Sequence, residues 1–211
     1  MTDIPPAVEE RIAHWRRVWG EKAPEEATWH QPTPEVSLAL IEAAAVTPWR
    51  PVIDVGGGAA TLVDHLLARG FKDLTVLDIA PEALAAARAR LGEEGDRVTW
   101  IAADITRWTP PESYVLWHDR AVFHFLTEPE DQRAYGRVLE TALAPDGQAI
   151  IATFAPEGPE KCSGLPVQRH DPDSLVTALG GGFTVLEQRR EEHATPAGNT
   201  QTFLWCRLGR S

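Results

Sequence analysis

Cysteine is scarce in this chain, which carries only Cys162 and Cys206 among its 211 residues. Two cysteines are too few for a disulfide framework and too few for a zinc site built from cysteine alone. The simplest prediction is a pair of reduced thiols in a cytoplasmic protein. Histidine and cysteine together show no spacing typical of a metal site, so the sequence predicts no bound metal.

Basic residues and long apolar runs are also in short supply. Lysine and arginine number 20 against 31 aspartates and glutamates, which gives a formal net charge of -11. An acidic surface repels a phosphate backbone, so nucleic acid is a poor candidate partner. No stretch approaches the roughly 20 apolar residues of a membrane helix, and the N-terminus lacks the apolar core of a signal peptide. The sequence therefore predicts no membrane partner, and it leaves the oligomeric state open, with nothing that argues against a monomer.

The chain changes its pattern near residue 49. Residues 1–48 are predicted to form an N-terminal helical lid, in which Trp15 and Trp19 share one helix face because they lie four residues apart. Residues 49–211 are predicted to form a Rossmann-like core, in which strands alternate with helices and then give way to a C-terminal hairpin. We therefore expect one domain over 1–211, with a doubly wound α/β sheet that is mostly parallel and an antiparallel hairpin at its end.

A glycine-rich turn follows the first predicted strand, at Gly56, Gly57 and Gly58. Glycine at such a turn lets a ligand approach the backbone closely. A dinucleotide fingerprint needs a small third residue where Thr61 stands. Asp54 precedes the turn, and its charge would repel a pyrophosphate but favour a ligand with ammonium and sulfonium groups. Charge thus favours S-adenosylmethionine over NAD as the ligand of this turn.

Two further acids stand where predicted strands end. Asp78 closes the second strand and Asp104 the third, as Asp54 closes the first. All three therefore point to the carboxyl edge of the sheet, where ligands bind in open α/β folds. Each acid alone is also compatible with a turn or a helix cap, but the three acids together with the glycine turn favour a binding site.

Three segments resemble motifs of class I S-adenosylmethionine-dependent methyltransferases: DVGGGAAT from Asp54, LDIAPEAL from Leu77 and AADITRW from Ala102. The resemblance covers residues 51–154. It implies a seven-stranded sheet whose terminal hairpin contributes one antiparallel strand, and it implies S-adenosylmethionine as cofactor and S-adenosylhomocysteine as product.

The resemblance also implies which residues hold the cofactor. The glycine turn with Asp54 would approach the methionine part, Asp78 the ribose and Asp104 the adenine, while Trp29 would close over the site. The complete expected cofactor set is Asp54, Gly56, Gly57, Gly58, Asp78, Ile79, Asp104, Ile105, His118 and Trp29.

The segment from His118 to Gln148 is similar to the thiopurine and tellurite methyltransferases, which share an Asp-Arg pair followed by an Arg-Tyr helix. Here the pair is Asp119 and Arg120, and the helix carries Arg133 and Tyr135. This similarity implies a small-molecule acceptor, with soft thiol, selenium or tellurium nucleophiles among the candidates.

Catalytic candidates lie at the end of the fourth predicted strand, at His118, Asp119 and Arg120. Methyl transfer from a sulfonium needs mainly positioning, and a hydroxyl or amine acceptor also needs a base within hydrogen-bond reach. Arg120 either holds an anionic acceptor or pairs with an acid. His124 is predicted to be a buried structural histidine, and Cys162 a small loop side chain rather than a functional thiol.

Three other functions remain open on the sequence alone. They are a protein lysine methyltransferase, a non-catalytic cofactor-binding module and an NAD-dependent oxidoreductase. Asp54 and Thr61 argue against the oxidoreductase, because neither suits a pyrophosphate-binding turn.

Overall fold

The computed structural model describes residues 6–21, 26–195 and 198–211. Residues 1–5 and 22–25 of the predicted lid, and residues 196–197 of the predicted hairpin turn, lie outside the described residues. Among the described helices, none has both the length and the apolar character needed to span a bilayer.

Helices and strands alternate through most of the chain. The helices are α1 (Pro6–Glu21), α2 (Glu35–Ala43), α3 (Leu62–Ala68), α4 (Pro81–Leu91), α5 (Pro129–Ala142) and α6 (Pro172–Ala178). The strands are β1 (Val52–Val55), β2 (Leu74–Asp78), β3 (Val98–Ala102), β4 (Tyr114–Arg120), β5 (Leu143–Phe154), β6 (Lys161–Cys162), β7 (Leu165–Pro166), β8 (Phe183–Ala194) and β9 (Thr200–Arg210).

Seven of these strands form one sheet in the order β3-β2-β1-β4-β5-β9-β8. The first five strands are parallel to one another, and β9 runs antiparallel to both β5 and β8. The predicted fold class, a doubly wound seven-stranded sheet with an antiparallel C-terminal hairpin, is confirmed. The order reverses between β1 and β4, and such a switch point opens a crevice at the carboxyl ends of the strands.

Helices cover both faces of the sheet, so its central strands are buried. β1 and β2 are buried along their whole length, as expected for parallel strands between two helical layers. Leu66 of α3 packs in the core on one face, while Leu139 of α5 packs in the core on the other. These layers fix the strand ends, and so the site, in a rigid frame.

The N-terminal helices have different surroundings. α2 packs into the core through Leu38, Leu40 and Ile41, each of which is buried. α1 instead lies over the carboxyl edge, where Arg16 makes an exposed ion pair with Glu82 of α4. The element that covers the edge is therefore α1 with the segment that follows it, whereas α2 is part of the core packing.

Two local features differ from the sequence expectation. The apolar run of the fifth strand starts after Gln148 in the sequence, but β5 begins at Leu143, which pairs with Tyr114 before a shift in register. The two-residue strands β6 and β7 form a separate small hairpin that no sequence pattern indicated. Strands this short bury too little to leave a periodic signal.

Candidate active site

A cleft with an empty volume of about 1220 Å³ lies over the carboxyl ends of β1, β2, β3 and β4. This volume includes open solvent, so it marks where the cleft lies and not the size of a ligand. Nine of the ten residues expected to hold a cofactor line the cleft: Asp54, Gly56, Gly57, Asp78, Ile79, Asp104, Ile105, His118 and Trp29. The tenth, Gly58, lies directly behind the lining, against Asp78.

The glycine turn owes its shape to close packing. Gly56 has a φ of +66°, and a Cβ there would lie 1.9 Å from a methyl carbon of Val122. A Cβ on Gly57 would lie 2.4 Å from a carboxylate oxygen of Asp54. Side chains at these positions would therefore displace the acid and fill the floor of the cleft.

Asp78 is buried beneath the middle of the cleft. Its Oδ1 accepts a hydrogen bond from the backbone N–H of Ala80 at 2.8 Å. Burial is the main reason that the pKa of Asp78 is raised to about 7, and the nearby charge of Asp54 adds to the effect. This carboxyl therefore titrates near neutrality and is available to accept hydrogen bonds from a ligand's hydroxyl groups.

Asp104 lies at the opposite end of the cleft and is engaged by the lid. Its Oδ2 accepts a hydrogen bond from Arg11 of α1 at 2.8 Å, while its Oδ1 accepts one from the backbone N–H of Thr106. Arg11 also pairs with Asp131 at 2.9 Å. The arginine thereby fastens α1 across the cleft.

His118 is held between two side chains in the cleft wall. Its Nδ1 lies 2.7 Å from Asp54 and its Nε2 lies 3.0 Å from the hydroxyl of Ser37. Because a carboxylate only accepts, Nδ1 carries the proton and Nε2 accepts from the serine. Both ring nitrogens are thus engaged, and the histidine fixes the orientation of Asp54 towards the glycine turn.

Asp119 is placed differently from its neighbours, since it does not line the cleft and is completely buried. Its carboxylate accepts hydrogen bonds from the hydroxyl of Tyr135 at 2.6 Å and from the backbone N–H groups of Val122 and Phe123. Burial raises the pKa of Asp119 to about 6. The catalytic role of Asp119 stays a prediction, and we propose instead that a carboxylate so enclosed positions the turn after β4.

Arg120 returns to the cleft side, one residue beyond Asp119. Its Nη1 donates to the backbone carbonyl of Trp29 at 2.7 Å, and its guanidinium carbon lies 5.2 Å from the ring centre of Phe203. No carboxylate among the described residues makes an ion pair with it, so the expected alternative of an acid partner finds no support here. Its pKa is lowered mainly by burial.

Aromatic rings from the lid cover the Arg120 end of the cleft. Trp15 stands edge-to-face with Phe125 at 4.8 Å and with Trp29 at 6.0 Å, and Trp19 contacts Trp29 at 5.8 Å. We name this group, Trp15, Trp19, Trp29 and Phe125, the aromatic cluster. All four rings line the cleft.

The segment that carries Trp29 is tied down on several sides. The ring Nε2 of His193 lies 2.8 Å from the carbonyl of Thr28, and Gln31 donates to Glu191 at 2.7 Å. Thr61 of the glycine turn donates to the carbonyl of Gln31 at 2.8 Å. The C-terminal hairpin therefore fixes the position of Trp29 over the site.

The remaining candidates sit apart from the ligand-facing polar groups. His124 is completely buried, as expected of a structural histidine, and His170 is buried beside Phe123. Cys162 lines the cleft, but burial raises the pKa of its thiol to about 11, so it is a neutral side chain there. Within the described ranges, no group of three or more His, Cys, Asp and Glu side chains is arranged to hold a metal ion.

Arg11 and Ser37 are among the cleft residues that sequence reasoning missed. Both come from the N-terminal helices, which have no cofactor motif of their own. The available signal was weak: Arg11 lies four residues before Trp15, so the two share the face of α1 that lies over the cleft. Ser37 lies on a helix whose other inward residues are apolar, and a buried serine there needs a polar partner.

Comparisons with known proteins agree with this geometry. Residues 52–147 match the family described as a methyltransferase domain. Nodulation protein S of Bradyrhizobium diazoefficiens is 31% identical over 101 residues, which cover 48% of this chain and 48% of that protein. The chain thus spans about half the length of this relative.

Two further similarities extend beyond the matched domain. The human N-terminal Xaa-Pro-Lys N-methyltransferase 1 is 28% identical over 152 residues, covering 67% of this chain and 65% of that protein. The crystal structure of a SAM-dependent methyltransferase from Anabaena variabilis shares the fold, with a TM-score of 0.76 at 16% identity over 99% of this chain and 96% of that chain. The sheet order, the glycine turn and the acidic strand ends thus agree with a chain that is similar to methyltransferases over residues 52–147 and that shares the fold of a SAM-dependent methyltransferase.

Proposed function

We propose that this protein transfers the methyl group of S-adenosylmethionine to a small-molecule acceptor. The observation that carries the proposal is the row of buried or half-buried acids along one sheet edge, Asp54, Asp78 and Asp104, beside a glycine turn. A ligand with a cationic amino acid end, two ribose hydroxyls and an adenine finds a matching group at each strand end.

The methionine part, the ribose and the adenine of S-adenosylmethionine each match a different set of cleft residues by charge and hydrogen bonding. Asp54, fixed by His118, attracts the ammonium and sulfonium charges. Asp78 accepts hydrogen bonds from the ribose hydroxyls, and its neighbour Ile79 offers an apolar contact. Asp104 and Ile105 border the adenine, with Arg11 closing that end. Trp29 covers the methionine end from above.

Methyl transfer is an in-line displacement at the methyl carbon. A lone pair of the acceptor atom forms the new bond to carbon, the carbon–sulfur bond breaks, and its electron pair returns to sulfur. The positive sulfonium becomes neutral S-adenosylhomocysteine, and a neutral N–H or O–H acceptor releases one proton. The protein's contribution is alignment and exclusion of water, supplied by the aromatic cluster and α1.

A small acceptor is favoured because the lid already occupies the entrance above the reaction centre. Arg11 ties α1 to Asp104 and Asp131. The aromatic cluster is part of the lining of the remaining space. Soft thiol, selenium and tellurium nucleophiles remain candidates, because no free base at the centre is required for them.

The test is turnover with methyl-labelled S-adenosylmethionine. The purified protein is incubated with a panel of thiols, selenide and tellurite, aromatic amines and acids, and a lysine-containing peptide, and transferred label is counted in each product. The proposal expects label in at least one small molecule and none in the peptide. Label only in the peptide would replace the proposal with a protein methyltransferase. Binding of cofactor without label in any acceptor would favour a non-catalytic module.

Two variants make the test specific to the site. Asp54→Asn removes the negative charge beside the sulfonium while keeping a hydrogen-bonding side chain, and it should lower turnover at least tenfold. Asp146→Asn changes an aspartate on the exposed surface, paired with Arg50, and should leave turnover unchanged. Equal loss in both variants would indicate that surface charge, not the site, controls the signal.

A further inference from the structure

The side chain of Arg120 has two hydrogen-bond donors that nothing in the described chain uses. Its Nε and Nη2 atoms are buried and lack a partner among residues 6–21, 26–195 and 198–211. Its Nη1 alone is satisfied, by the carbonyl of Trp29. A buried guanidinium with unpaired donors is costly, so its retention in a cleft wall points to a ligand that pairs with it.

The acids whose charge acts on Arg120, Glu191 and Asp54, are hydrogen-bonded to other residues. Glu191 accepts hydrogen bonds from Gln31 at 2.7 Å and from the indole of Trp205 at 2.8 Å. Asp54 is held by His118 at 2.7 Å. Both raise the pKa of Arg120 through their charge, but neither forms a hydrogen bond with it. The guanidinium therefore keeps one edge with two unused donors, on a side chain that lines the cleft.

The geometry of that edge is selective. Nε and Nη2 form one side of the guanidinium fork, and two parallel N–H groups match the two oxygens of a carboxylate. The rings of Trp29 and Phe125 line the same end of the cleft, and Phe203 packs on the guanidinium from below. Aromatic rings there offer flat apolar surface for a planar ligand.

We propose that Arg120 binds the carboxylate of the methyl acceptor, and that this acceptor is a planar aromatic acid whose ring lies against the aromatic cluster. The proposal rests on the methyltransferase function and narrows its acceptor. The cofactor's adenine, ribose and sulfonium are assigned to the ends of β3, β2 and β1 in turn. Arg120 ends β4, the next strand in the order, where the acceptor has to lie to meet the methyl group.

The test uses protein saturated with S-adenosylhomocysteine and two pairs of probes: benzoate with benzamide, and indole-3-carboxylate with indole-3-carboxamide. Affinities are measured by quenching of tryptophan fluorescence, since three tryptophans line the cleft. The proposal expects each acid to bind at least tenfold more tightly than its amide. Equal affinities within both pairs, or no binding of either acid, would overturn it.

Arg120→Met and Arg120→Lys assign the effect to this side chain. Methionine preserves the packing on Phe203 without the charge, so the fold should persist, as checked by thermal unfolding. It should abolish the preference for acids, while lysine, which lacks the fork, should keep only part of it. An undiminished preference in the methionine variant would contradict the proposal.

A further measurement tests whether Arg120 binds the carboxylate of the cofactor and not that of the acceptor. S-adenosylhomocysteine and 5′-methylthioadenosine, which lacks the amino acid end, are titrated into wild type and Arg120→Met. Unchanged affinities for both support an acceptor role. A tenfold loss confined to S-adenosylhomocysteine would reassign Arg120 to the cofactor and overturn the proposal. Failure of wild type to bind either compound would instead refute the methyltransferase function.

Discussion

Four aspartates stand at the ends of neighbouring parallel strands, yet each has different partners. Asp54 is bonded to a histidine, Asp78 to a backbone N–H and Asp104 to an arginine of the lid. Asp119 is enclosed by a tyrosine and two backbone N–H groups. The first three face the cleft, and the fourth supports its wall from behind.

Replacement of Asp119 should destabilise the protein rather than alter its chemistry directly. Asp119→Ala leaves three buried donors without an acceptor, and we expect the free energy of unfolding to fall by roughly 3 kcal/mol. Urea denaturation measures it. Asp119→Asn keeps one acceptor oxygen and should lose less, and Asp146→Ala at the surface should change little. If Asp119→Ala is as stable as wild type but inactive, that result would support a catalytic role for Asp119.

Asp78 should make cofactor binding depend on pH. Its pKa is about 7 in the folded protein, so its ionised form, which accepts best from ribose hydroxyls, increases as pH rises through that value. Titration of S-adenosylhomocysteine from pH 5.5 to 8.5 should show affinity rising with pH, and Asp78→Asn should bind at least tenfold more weakly and without that slope. An identical slope in the variant would assign the titration to another group.

The raised pKa of Asp78 also makes the stability of the folded protein fall as pH rises, whereas cofactor binding should strengthen. The folded pKa of Asp78 lies above its ordinary value of 3.8, so its contribution to stability is full at acidic pH and is lost as pH rises through about 7. Asp78→Asn should therefore flatten this part of the stability profile. The site thus uses a carboxyl whose ionisation favours binding at some cost in stability.

At the residue scale, the sequence predicted three acids that line the cleft and one neighbour that does not line it. Asp54, Asp78 and Asp104 were identified because a strand ending in an acid before a turn is visible in the sequence. Adjacent residues of a strand point to opposite faces, so His118 and Arg120 share the cleft side and Asp119 does not. The sequence shows that side chains of a strand alternate between two faces, but it does not show which face of β4 lies towards the cleft.

At the scale of elements, the lid is held by few polar contacts. α1 reaches the core's acids through Arg11, which bridges Asp104 and Asp131 with a largely buried side chain. Its other ion pair, between Arg16 and Glu82, is exposed and weak. The tryptophans of α1 complete the contact from the opposite side.

Arg11→Ala should loosen α1 and let the cofactor leave faster. We expect dissociation of S-adenosylhomocysteine to speed up by roughly tenfold, which corresponds to about 1.4 kcal/mol. Stopped-flow fluorescence measures it, and the emission of Trp15 and Trp19 should shift to the red as they meet water. Arg16→Ala is the matched control and should leave the rate unchanged. Equal rates in wild type and Arg11→Ala would show that α1 does not gate the cofactor.

The turn after β4 should make the fold sensitive to acid. His124 and His170 are buried with no partner for either ring nitrogen within the described part of the chain. Burial lowers the pKa of His124 to about 3 and that of His170 to about 4. Because the folded pKa lies below the ordinary value of 6.5, stability is lost as pH falls from about 6.5 towards these values.

His124→Leu tests this source of acid sensitivity. It removes the group that resists protonation and keeps an apolar side chain among Phe125 and Phe154. Its free energy of unfolding should fall less between pH 6.5 and 4.5 than that of wild type. His65→Leu, at an imidazole more exposed to water, should keep the wild-type slope. If the free energy of unfolding of His124→Leu falls with pH as steeply as that of wild type, another group causes the acid sensitivity.

At the scale of the whole molecule, the fold follows from pattern more than from any single residue. Alternating apolar strands and helices predicted the parallel sheet, and the terminal hairpin was visible as two long strands around a turn. The placement of α1 across the cleft depended on Arg11 and tryptophan contacts between distant parts of the chain, which local periodicity does not encode. The identity of the acceptor depends on such contacts as well.

Calorimetric titration of the folded protein with S-adenosylhomocysteine, beside NADH, tests the central claim most directly. The acid-lined cleft should bind S-adenosylhomocysteine with micromolar affinity and should not bind NADH, because Asp54 repels a pyrophosphate. Binding of NADH without S-adenosylhomocysteine would contradict the assignment of the cleft, and with it the proposed methyl transfer.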